Sequence, residues 1–470
     1  MRRNIHRIAV VLVGLIALSG VWLTWLATDA ASRYRDDPRN IRAQGSAFLP
    51  GAGRIITADG VVVAEDDADG NRHYPEDVAY AHLVGYATTQ ERRGIEDSRY
   101  ASLRLRNTGS ISDWLLGLGS GASRQPNDVV LTVLDPVQQA ARRAISGATG
   151  AVVVVDIATG AILAYVSSPT YDTNRVVSGS LDPEDAGRDS GVDALIDRVA
   201  DRVLPPGSTF KVIVAAAALE AGAFPGTEFA DADEYLAPGS GSPIRNAGDD
   251  FCGDGGTITL EQALVVSCNT VFARMAVDLG AGPISAAAEQ AGFERYLPWE
   301  TGAARSSITA AAILSSDPGA LAQTGIGERD VRVTPLLMAL IAAAVGNDGV
   351  AMRPYVVGTI TTASGDTVRR AQPEALARMF DSAVSGDLLA MMEAVVAGGT
   401  GTAARVDGLT VAGKTGTAEG SGGPHAWFIG VAGAEHPEIA IAVVVEAAGS
   451  GGRVAAPIAA SVITAWRDLE

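Results

Sequence analysis

The apolar run Ala151–Asp156 constrains the fold most, because four consecutive valines, Val152–Val155, favour a buried β-strand. A turn at Thr159–Gly160 leads into a second apolar run, Ile162–Val166. Strands joined this closely pair antiparallel. Further strands are predicted near the C-terminus at 409–419, 426–431 and 439–446, with a closing helix at 456–469. The sequence therefore predicts an antiparallel sheet in an α+β fold.

Length and composition indicate a globular protein. The chain has 470 residues, of which 47% are hydrophobic and 19% charged, so it can form two or three domains. Its formal charge of −18 argues against nucleic acid as a partner. Two cysteines and five scattered histidines give no metal-ligand spacing, and we expect neither a metal nor another cofactor.

The N-terminus has the pattern of a membrane anchor. Residues Ile8–Ala27 form an uncharged stretch that is long enough to cross a bilayer. Trp22 and Trp25 lie where an aromatic belt is expected, and positive charges precede the run, at Arg2, Arg3 and Arg7. A cleaved signal peptide is the alternative, but residues 28–30 make a poor cleavage site. We expect a single-pass membrane protein with the remaining chain outside the cytoplasm.

The motif Ser208-Thr-Phe-Lys211 has the composition of a serine nucleophile with its base. If a helix begins near Ser208, the i,i+3 spacing brings the Lys211 amine beside the Ser208 hydroxyl. The chain has 36 Lys and Arg residues, yet its lysines are only Lys211 and Lys414. Arginine does not lose its proton in proteins, whereas a lysine with a lowered pKa can act as a base. The presence of lysine at position 211 therefore indicates a catalytic role for its amine and not only a need for positive charge.

Two later motifs carry polar groups in apolar surroundings. Ser267 and Asn269 interrupt an apolar stretch, which is costly unless they are hydrogen-bonded, although a helix cap would also explain them. The strand around Lys414 offers an ammonium and two hydroxyls for an anion such as a carboxylate, from Lys414, Thr415 and Thr417. Gly416 would let a ligand backbone lie close to the strand. An exposed lysine that only protects a sheet edge is the alternative.

The ordered set Ser-x-x-Lys, Ser-x-Asn and Lys-Thr-Gly resembles the penicillin-recognising serine acyltransferases. Flanking segments such as 94–96, 334–336 and 399–401 are most similar to class B penicillin-binding proteins of the actinobacterial PbpA-like type. The resemblance implies an antiparallel sheet flanked by helices, with an all-helical subdomain. It also implies three segments: 1–27 as cytoplasmic tail and anchor, 28–148 as a small non-catalytic pedestal, and 149–470 as the transpeptidase domain.

The resemblance further implies a peptidoglycan D,D-transpeptidase that is inhibited by β-lactams. Ser208 would attack the stem peptide between its two terminal D-alanines, with Lys211 as a neutral base whose pKa is lowered by burial and by Lys414. The backbone N–H groups of Ser208 and Thr417 would form the oxyanion hole. The remaining roles would be proton relay by Ser267, substrate hydrogen bonding by Asn269, and carboxylate binding by Lys414, Thr415, Gly416 and Thr417.

Two departures from the family and two cysteines raise separate questions. Ala52 stands where the family usually has arginine, and Asp197 where it often has asparagine. Cys252 and Cys268 would lie on the oxidising side of the membrane, so a disulfide between them is one interpretation. In the other, Cys268 is a small buried apolar residue.

Several related functions share these motifs. A D-Ala-D-Ala carboxypeptidase cannot be separated from a transpeptidase by motifs, and a catalytically weak membrane scaffold is a further alternative. A serine β-lactamase would need a further group to activate the water that hydrolyses the acyl-enzyme. After Asn269 the sequence offers only Glu300 at a suitable distance for that role, without a following asparagine, so it does not support a β-lactamase. The segment between anchor and transpeptidase is too short for a glycan polymerase domain, so the resemblance implies a separate membrane polymerase as partner.

Overall fold

The computed structural model describes residues 14–20, 22, 25, 51–88, 90–104, 126–181, 193–248 and 250–469. Residues 14–20, 22 and 25 are helical. Within these described residues, no helix is both long and apolar enough to cross a bilayer. Most of the predicted anchor, Ile8–Ala27, lies outside the described residues.

A five-stranded antiparallel sheet forms the centre of the C-terminal part. Its strands are β5 Gly150–Asp156, β6 Ile162–Ser168, β15 Thr410–Ala418, β16 His425–Gly433 and β17 Ile439–Val445. Their order in the sheet is β15-β16-β17-β5-β6. The predicted hairpin is confirmed, since Val152 of β5 faces Val166 of β6 across two antiparallel strands. The C-terminal strands pair with it through β17, where Val443 faces Val152.

Both faces of this sheet are covered, which explains why β5 is apolar at successive positions. Val153 and Val155 point into the core that includes helix Pro335–Gly346, and Val152 and Val154 point into a second core. Two helices cover that second core, Asp135–Ala144 and Ala455–Arg467. The sheet is thus a layer between helices, as the sequence predicts.

A second sheet has six strands: β1 Ile55–Ile56, β2 Val62–Asp66, β3 Arg72–His73, β4 Asp128–Leu131, β12 Val357–Thr361 and β13 Thr367–Arg370. Their order in the sheet is β13-β12-β4-β1-β2-β3. Strands β12 and β13 come from late in the chain, and Val357 of β12 faces Leu131 of β4. A domain boundary at residue 148 would assign these two strands to the transpeptidase segment, whereas in the structure they pair with the N-terminal sheet. Short helices accompany it at Asp77–Val84, Gly94–Ser98, Tyr100–Arg104 and Thr173–Val177.

A mainly helical region lies between the nucleophile segment and β15. Its helices are Lys211–Glu220, Leu260–Val265, Asn269–Leu279, Ala281–Gln290, Ala311–Ser316, Pro318–Gly325, Pro335–Gly346 and Ser382–Gly398. It also contains three short antiparallel ribbons, so it is not purely helical. Their strands are β7 Glu228–Ala230 with β10 Thr257–Thr259, β8 Glu234–Tyr235 with β9 Ile244–Arg245, and β11 Val350–Met352 with β14 Ala375–Arg378.

Local capping explains where several of these helices begin. Thr259 accepts a hydrogen bond from the Gln262 N–H at 3.1 Å, and the Gln262 side chain accepts one from the Thr259 N–H, which is a capping box. Thr334 accepts from the Leu337 N–H before Pro335, the first residue of its helix. The helix starts that flank the predicted site are therefore encoded locally.

Candidate active site

Ser208 lies at the start of a continuous helical segment. A 3-10 turn, Gly207–Phe210, runs directly into helix Lys211–Glu220. Gly207 has a φ of 52°, which favours glycine, and a β-carbon there would lie 2.4 Å from the Thr417 carbonyl oxygen. The Ser208 turn therefore rests directly on strand β15.

Lys211 is fully buried, and its Nζ contacts the Ser-x-Asn motif. Nζ donates to the Ser267 carbonyl oxygen and to Asn269 Oδ1, both at 2.7 Å, and lies 3.3 Å from Ser267 Oγ. Within the described residues it forms no hydrogen bond to Ser208 Oγ. Burial, and secondarily the charge of Lys414, hold the pKa of Lys211 well below its usual value.

Ser267 connects the two lysines. It lies between helices Leu260–Val265 and Asn269–Leu279 with a φ of 62°, an uncommon conformation for a serine. Its Oγ accepts a hydrogen bond from Lys414 Nζ at 2.9 Å while lying 3.3 Å from Lys211 Nζ. The strained backbone thus directs this hydroxyl between two amines.

Lys414 is fully buried, which the exposed-edge alternative does not allow. Besides Ser267 Oγ, its Nζ donates to the Thr415 carbonyl oxygen at 2.9 Å, and burial lowers its pKa to about 7. The Thr415 hydroxyl bonds Thr400 Oγ1 at 2.6 Å, whereas Thr417 is exposed. These three polar side chains therefore have different environments.

Gly416 lines the cavity and also makes a close approach within the protein. A β-carbon there would lie 2.8 Å from the Pro206 carbonyl oxygen and 2.9 Å from the Thr209 methyl group. Its missing side chain accommodates the protein's own nucleophile turn. Trp427 acts on the same turn, because its indole N–H donates to the Pro205 carbonyl oxygen at 2.9 Å.

Several of these residues line a cavity of about 450 Å³, while the fully buried Lys211 and Lys414 lie behind its wall. Both predicted oxyanion-hole residues line it, together with members of the Ser-x-Asn motif and two acidic residues, and the six are Ser208, Ser267, Asn269, Thr417, Glu328 and Glu419. Three residues of the site, Glu328, Thr400 and Trp427, were given no role from the sequence. Thr400 does lie in segment 399–401, which carries part of the family resemblance, whereas Glu328 and Trp427 belong to no motif.

Glu328 stands out among the missed residues. Burial raises its pKa to about 7, and the charge of Glu419 acts in the same direction, whereas the hydrogen bond from the Glu419 N–H and the charges of Arg332 and Lys211 oppose the rise. Its carboxylate accepts hydrogen bonds from the Glu419 N–H, at 3.1 Å for Oε1 and 3.3 Å for Oε2. A titratable acid therefore lies in the same cavity as Ser208.

Cys252 and Cys268 form a disulfide in the structure. Cys268 lies between Ser267 and Asn269, so the bridge ties this motif to the loop that precedes β10. Asp231 holds the same loop, since its carboxylate accepts from the backbone N–H groups of Cys252 and Gly253. The motif is thereby fixed from outside its own helix.

Of the two departures from the resembling family, Asp197 is partly buried beside Tyr165. Its carboxylate accepts from Tyr165 OH and from the Val199 N–H, and burial raises its pKa to about 7. Ala52 lies at the N-terminal sheet, where its N–H donates to Asp66 Oδ2 at 2.7 Å. Neither residue lines the cavity at Ser208.

Residues 150–464 match the family described as penicillin binding protein transpeptidase domain. The chain belongs to this family. It is 34% identical over 498 residues to the peptidoglycan D,D-transpeptidase PbpA of Mycolicibacterium smegmatis, covering 99% of both chains. The PbpA of Mycobacterium tuberculosis strain H37Rv is also 34% identical, over 501 residues and 99% of both chains.

Solved structures of penicillin-binding proteins have the same fold. The penicillin G acyl-enzyme complex of penicillin-binding protein A from M. tuberculosis superposes with a TM-score of 0.80 at 32% identity, covering 89% of this chain and 100% of that one. A D,D-transpeptidase domain from Eggerthella lenta gives 0.79 at 33% identity, covering 90% and 99%.

Proposed function

We propose that this chain is a peptidoglycan D,D-transpeptidase that cross-links stem peptides through an acyl-enzyme on Ser208 and is acylated by β-lactams at the same residue. One observation carries the proposal. The Oγ of Ser267 lies within hydrogen-bonding distance of both Lys211 Nζ and Lys414 Nζ, in the cavity that Ser208 lines. This arrangement supplies a base and a proton relay beside a nucleophile.

The hydrogen bonds of Lys211 suit a neutral amine. A neutral amine has two N–H bonds and one lone pair, and two acceptors at 2.7 Å, the Ser267 carbonyl and Asn269 Oδ1, use both N–H groups. The third contact, with Ser267 Oγ, is longer at 3.3 Å and falls on the lone pair, which is the group that accepts a serine hydroxyl proton. Asn269 donates in turn to the Arg245 carbonyl oxygen at 2.9 Å, which orients its Oδ1 toward the lysine.

Acylation begins when Ser208 Oγ attacks the carbonyl carbon between the two terminal D-alanines and its proton passes to Lys211 Nζ. The N–H groups of Ser208 and Thr417 stabilise the oxyanion. When the C–N bond breaks, the D-alanine amine takes a proton through Ser267 Oγ. Lys414, Thr415 and Thr417 hold the terminal carboxylate until the D-alanine departs.

The second half-reaction regenerates the serine. An amine of another stem peptide attacks the ester carbonyl, the new amide forms, and the C–O bond to Ser208 breaks as Oγ regains a proton. With water in place of the amine, the same steps would give a carboxypeptidase. The nature of the acceptor therefore separates these two functions.

The wider organisation follows the same proposal. An N-terminal helix anchors the chain in the cell membrane, residues 28–148 form most of a pedestal, and residues 149–470 carry the catalytic site outside the cytoplasm. Strands β12 and β13 complete the pedestal sheet. A separate membrane polymerase supplies the glycan strands.

A product assay tests the function. The purified protein is incubated with a pentapeptide ending in D-Ala-D-Ala and an excess of an amine acceptor, and the products are identified by mass spectrometry. We expect release of D-alanine with a new amide to the acceptor, and neither product with Ser208→Ala. Release of D-alanine without any amide product would establish a carboxypeptidase instead.

A further inference from the structure

The segment Gly327–Glu328 lies between the two parts of the chain that carry the oxyanion hole. On one side, the Gly207 N–H donates to the Gly327 carbonyl oxygen at 3.0 Å. Gly327 has a φ of 75°, and a β-carbon there would lie 2.0 Å from the Gly207 carbonyl oxygen. This contact therefore requires glycine at 327 and places residue 328 beside the Ser208 turn.

On the other side, the Glu328 carboxylate bonds the end of strand β15. Its oxygens accept from the Glu419 N–H at 3.1 and 3.3 Å. Glu419 is two residues beyond Thr417, and Gly207 immediately precedes Ser208. Segment 327–328 thus bonds Gly207, the residue before Ser208, and Glu419, two residues beyond Thr417, and so bridges the two segments proposed to form the oxyanion hole.

The charged groups around Glu328 do not offer it another partner. Glu419, Arg332 and Lys211 influence it electrostatically. Within the described part of the chain, however, its carboxylate forms no ion pair. Arg332 donates instead to the carbonyl oxygens of Arg329 and Val331. The hydrogen bond to the Glu419 N–H is therefore the contact that fixes this side chain.

We propose that Glu328 is a positioning residue for the oxyanion hole, whose carboxylate holds the end of β15 against the Ser208 turn and so sets the separation of the Ser208 and Thr417 N–H groups. This inference rests on the proposed function. An oxyanion hole works only when its donors are aimed at the developing charge, so a small displacement of β15 slows acylation. Glu328 acts through these backbone groups without itself touching the substrate.

Two conservative variants separate the effect of the length of the Glu328 side chain from the effect of its charge. Glu328→Gln has a side chain of the same length with an acceptor oxygen at its end, but it carries no negative charge. Glu328→Asp keeps the negative charge, but its side chain is one methylene too short to reach the Glu419 N–H. Arg329→Ala is the matched control, because this exposed neighbour pairs only with Asp317 and Asp330 among the described residues. All three are compared with the natural protein by thermal melting.

The measurement is the rate of acylation by a chromogenic β-lactam at increasing concentration, which separates the dissociation constant of the initial complex from the limiting acylation rate. We expect Glu328→Asp to lower the limiting rate by roughly 10- to 100-fold with little change in the dissociation constant. We expect Glu328→Gln to stay within about fivefold of the natural protein, and Arg329→Ala to match it.

Three results would overturn the inference: a Glu328→Asp variant that acylates at the natural rate, a Glu328→Gln variant as slow as Glu328→Asp, or a loss confined to the dissociation constant. The last would make Glu328 a ligand contact. If the natural protein itself fails to acylate, the proposed function falls together with this inference, whereas normal acylation by both variants removes only the positioning role.

Discussion

Lys211 and Lys414 contact the same hydroxyl oxygen, with their Nζ atoms 3.3 and 2.9 Å from Oγ of Ser267. They are the only lysines in a chain with 34 arginines, and both are fully buried. Burying two amines so close together lowers the pKa of each, because the charged forms lose hydration and Lys414 repels a charge on Lys211. An arginine at either position would stay protonated, whereas these two buried lysines can lose a proton.

Lys211→Arg tests the base assignment. Arginine keeps a positive charge but cannot accept the Ser208 proton, so we expect acylation to fall by about 10²- to 10⁴-fold, the usual contribution of general base catalysis. The measurement is the acylation rate with a fluorescent penicillin, with thermal melting to establish folding. Acylation of a folded Lys211→Arg variant at the natural rate would show that another group is the base.

Lys414 should make stability depend on pH. Its pKa is about 7 in the folded protein against the usual 10.5, so between these values the unfolded chain binds more protons. The free energy of unfolding should therefore rise with pH across this window, and the contribution should be lost as pH falls toward 7. We expect Lys414→Met to reduce this slope in urea unfolding at several pH values, while Lys211 keeps its own contribution. Equal slopes in the two proteins would contradict the buried, lowered pKa.

Much of this fold could be predicted from the sequence because its signals are local. The valine run of β5, the turn at Thr159–Gly160 and the caps at Thr259 and Thr334 each depend on neighbouring residues. The return of β12 to the N-terminal sheet could not be predicted in this way. It depends on pairing with β4, more than 200 residues earlier.

In the active site, too, the features encoded by neighbouring residues could be predicted, and those that depend on distant contacts could not. Its three motifs can be read directly, since each places its polar groups within four residues. Glu328 and Trp427 act by hydrogen bonds to distant backbone groups, those of Glu419 and Pro205, which no residue spacing encodes. Gly416 could be recognised as a close approach, but only the structure identifies the approaching group as the Ser208 turn.

The disulfide can be tested by alkylation. The unfolded protein is treated with an alkylating reagent without reductant, and we expect mass spectrometry to detect no modified cysteine, because Cys252 and Cys268 are bonded. Cys252→Ser should lower the free energy of unfolding by about 3 kcal/mol in the chain-entropy account. Two alkylated thiols in the natural protein would remove the disulfide.

Trp427→Phe tests the support of the nucleophile turn. The variant keeps most of the buried ring but leaves the Pro205 carbonyl without its donor, which costs about 1–3 kcal/mol of stability. We expect acylation to slow as well, because the turn before Ser208 loosens. Trp466→Phe is the control, since Trp466 lies on the far face of the sheet in helix Ala455–Arg467. Equal effects of the two substitutions on acylation would argue against a specific role for Trp427.

The central claim is that Ser208 is the acylated nucleophile, and covalent labelling tests it most directly. The purified protein is labelled with a fluorescent penicillin beside Ser208→Ala and a control, Ser315→Ala. Among the described residues, the exposed Ser315 hydroxyl bonds only the Ala311 carbonyl oxygen of its own helix. We predict that the natural protein and the control are labelled and that Ser208→Ala is not, with the modified peptide containing Ser208. Labelling that persists in Ser208→Ala, or a folded natural protein that takes up no label, would contradict the account.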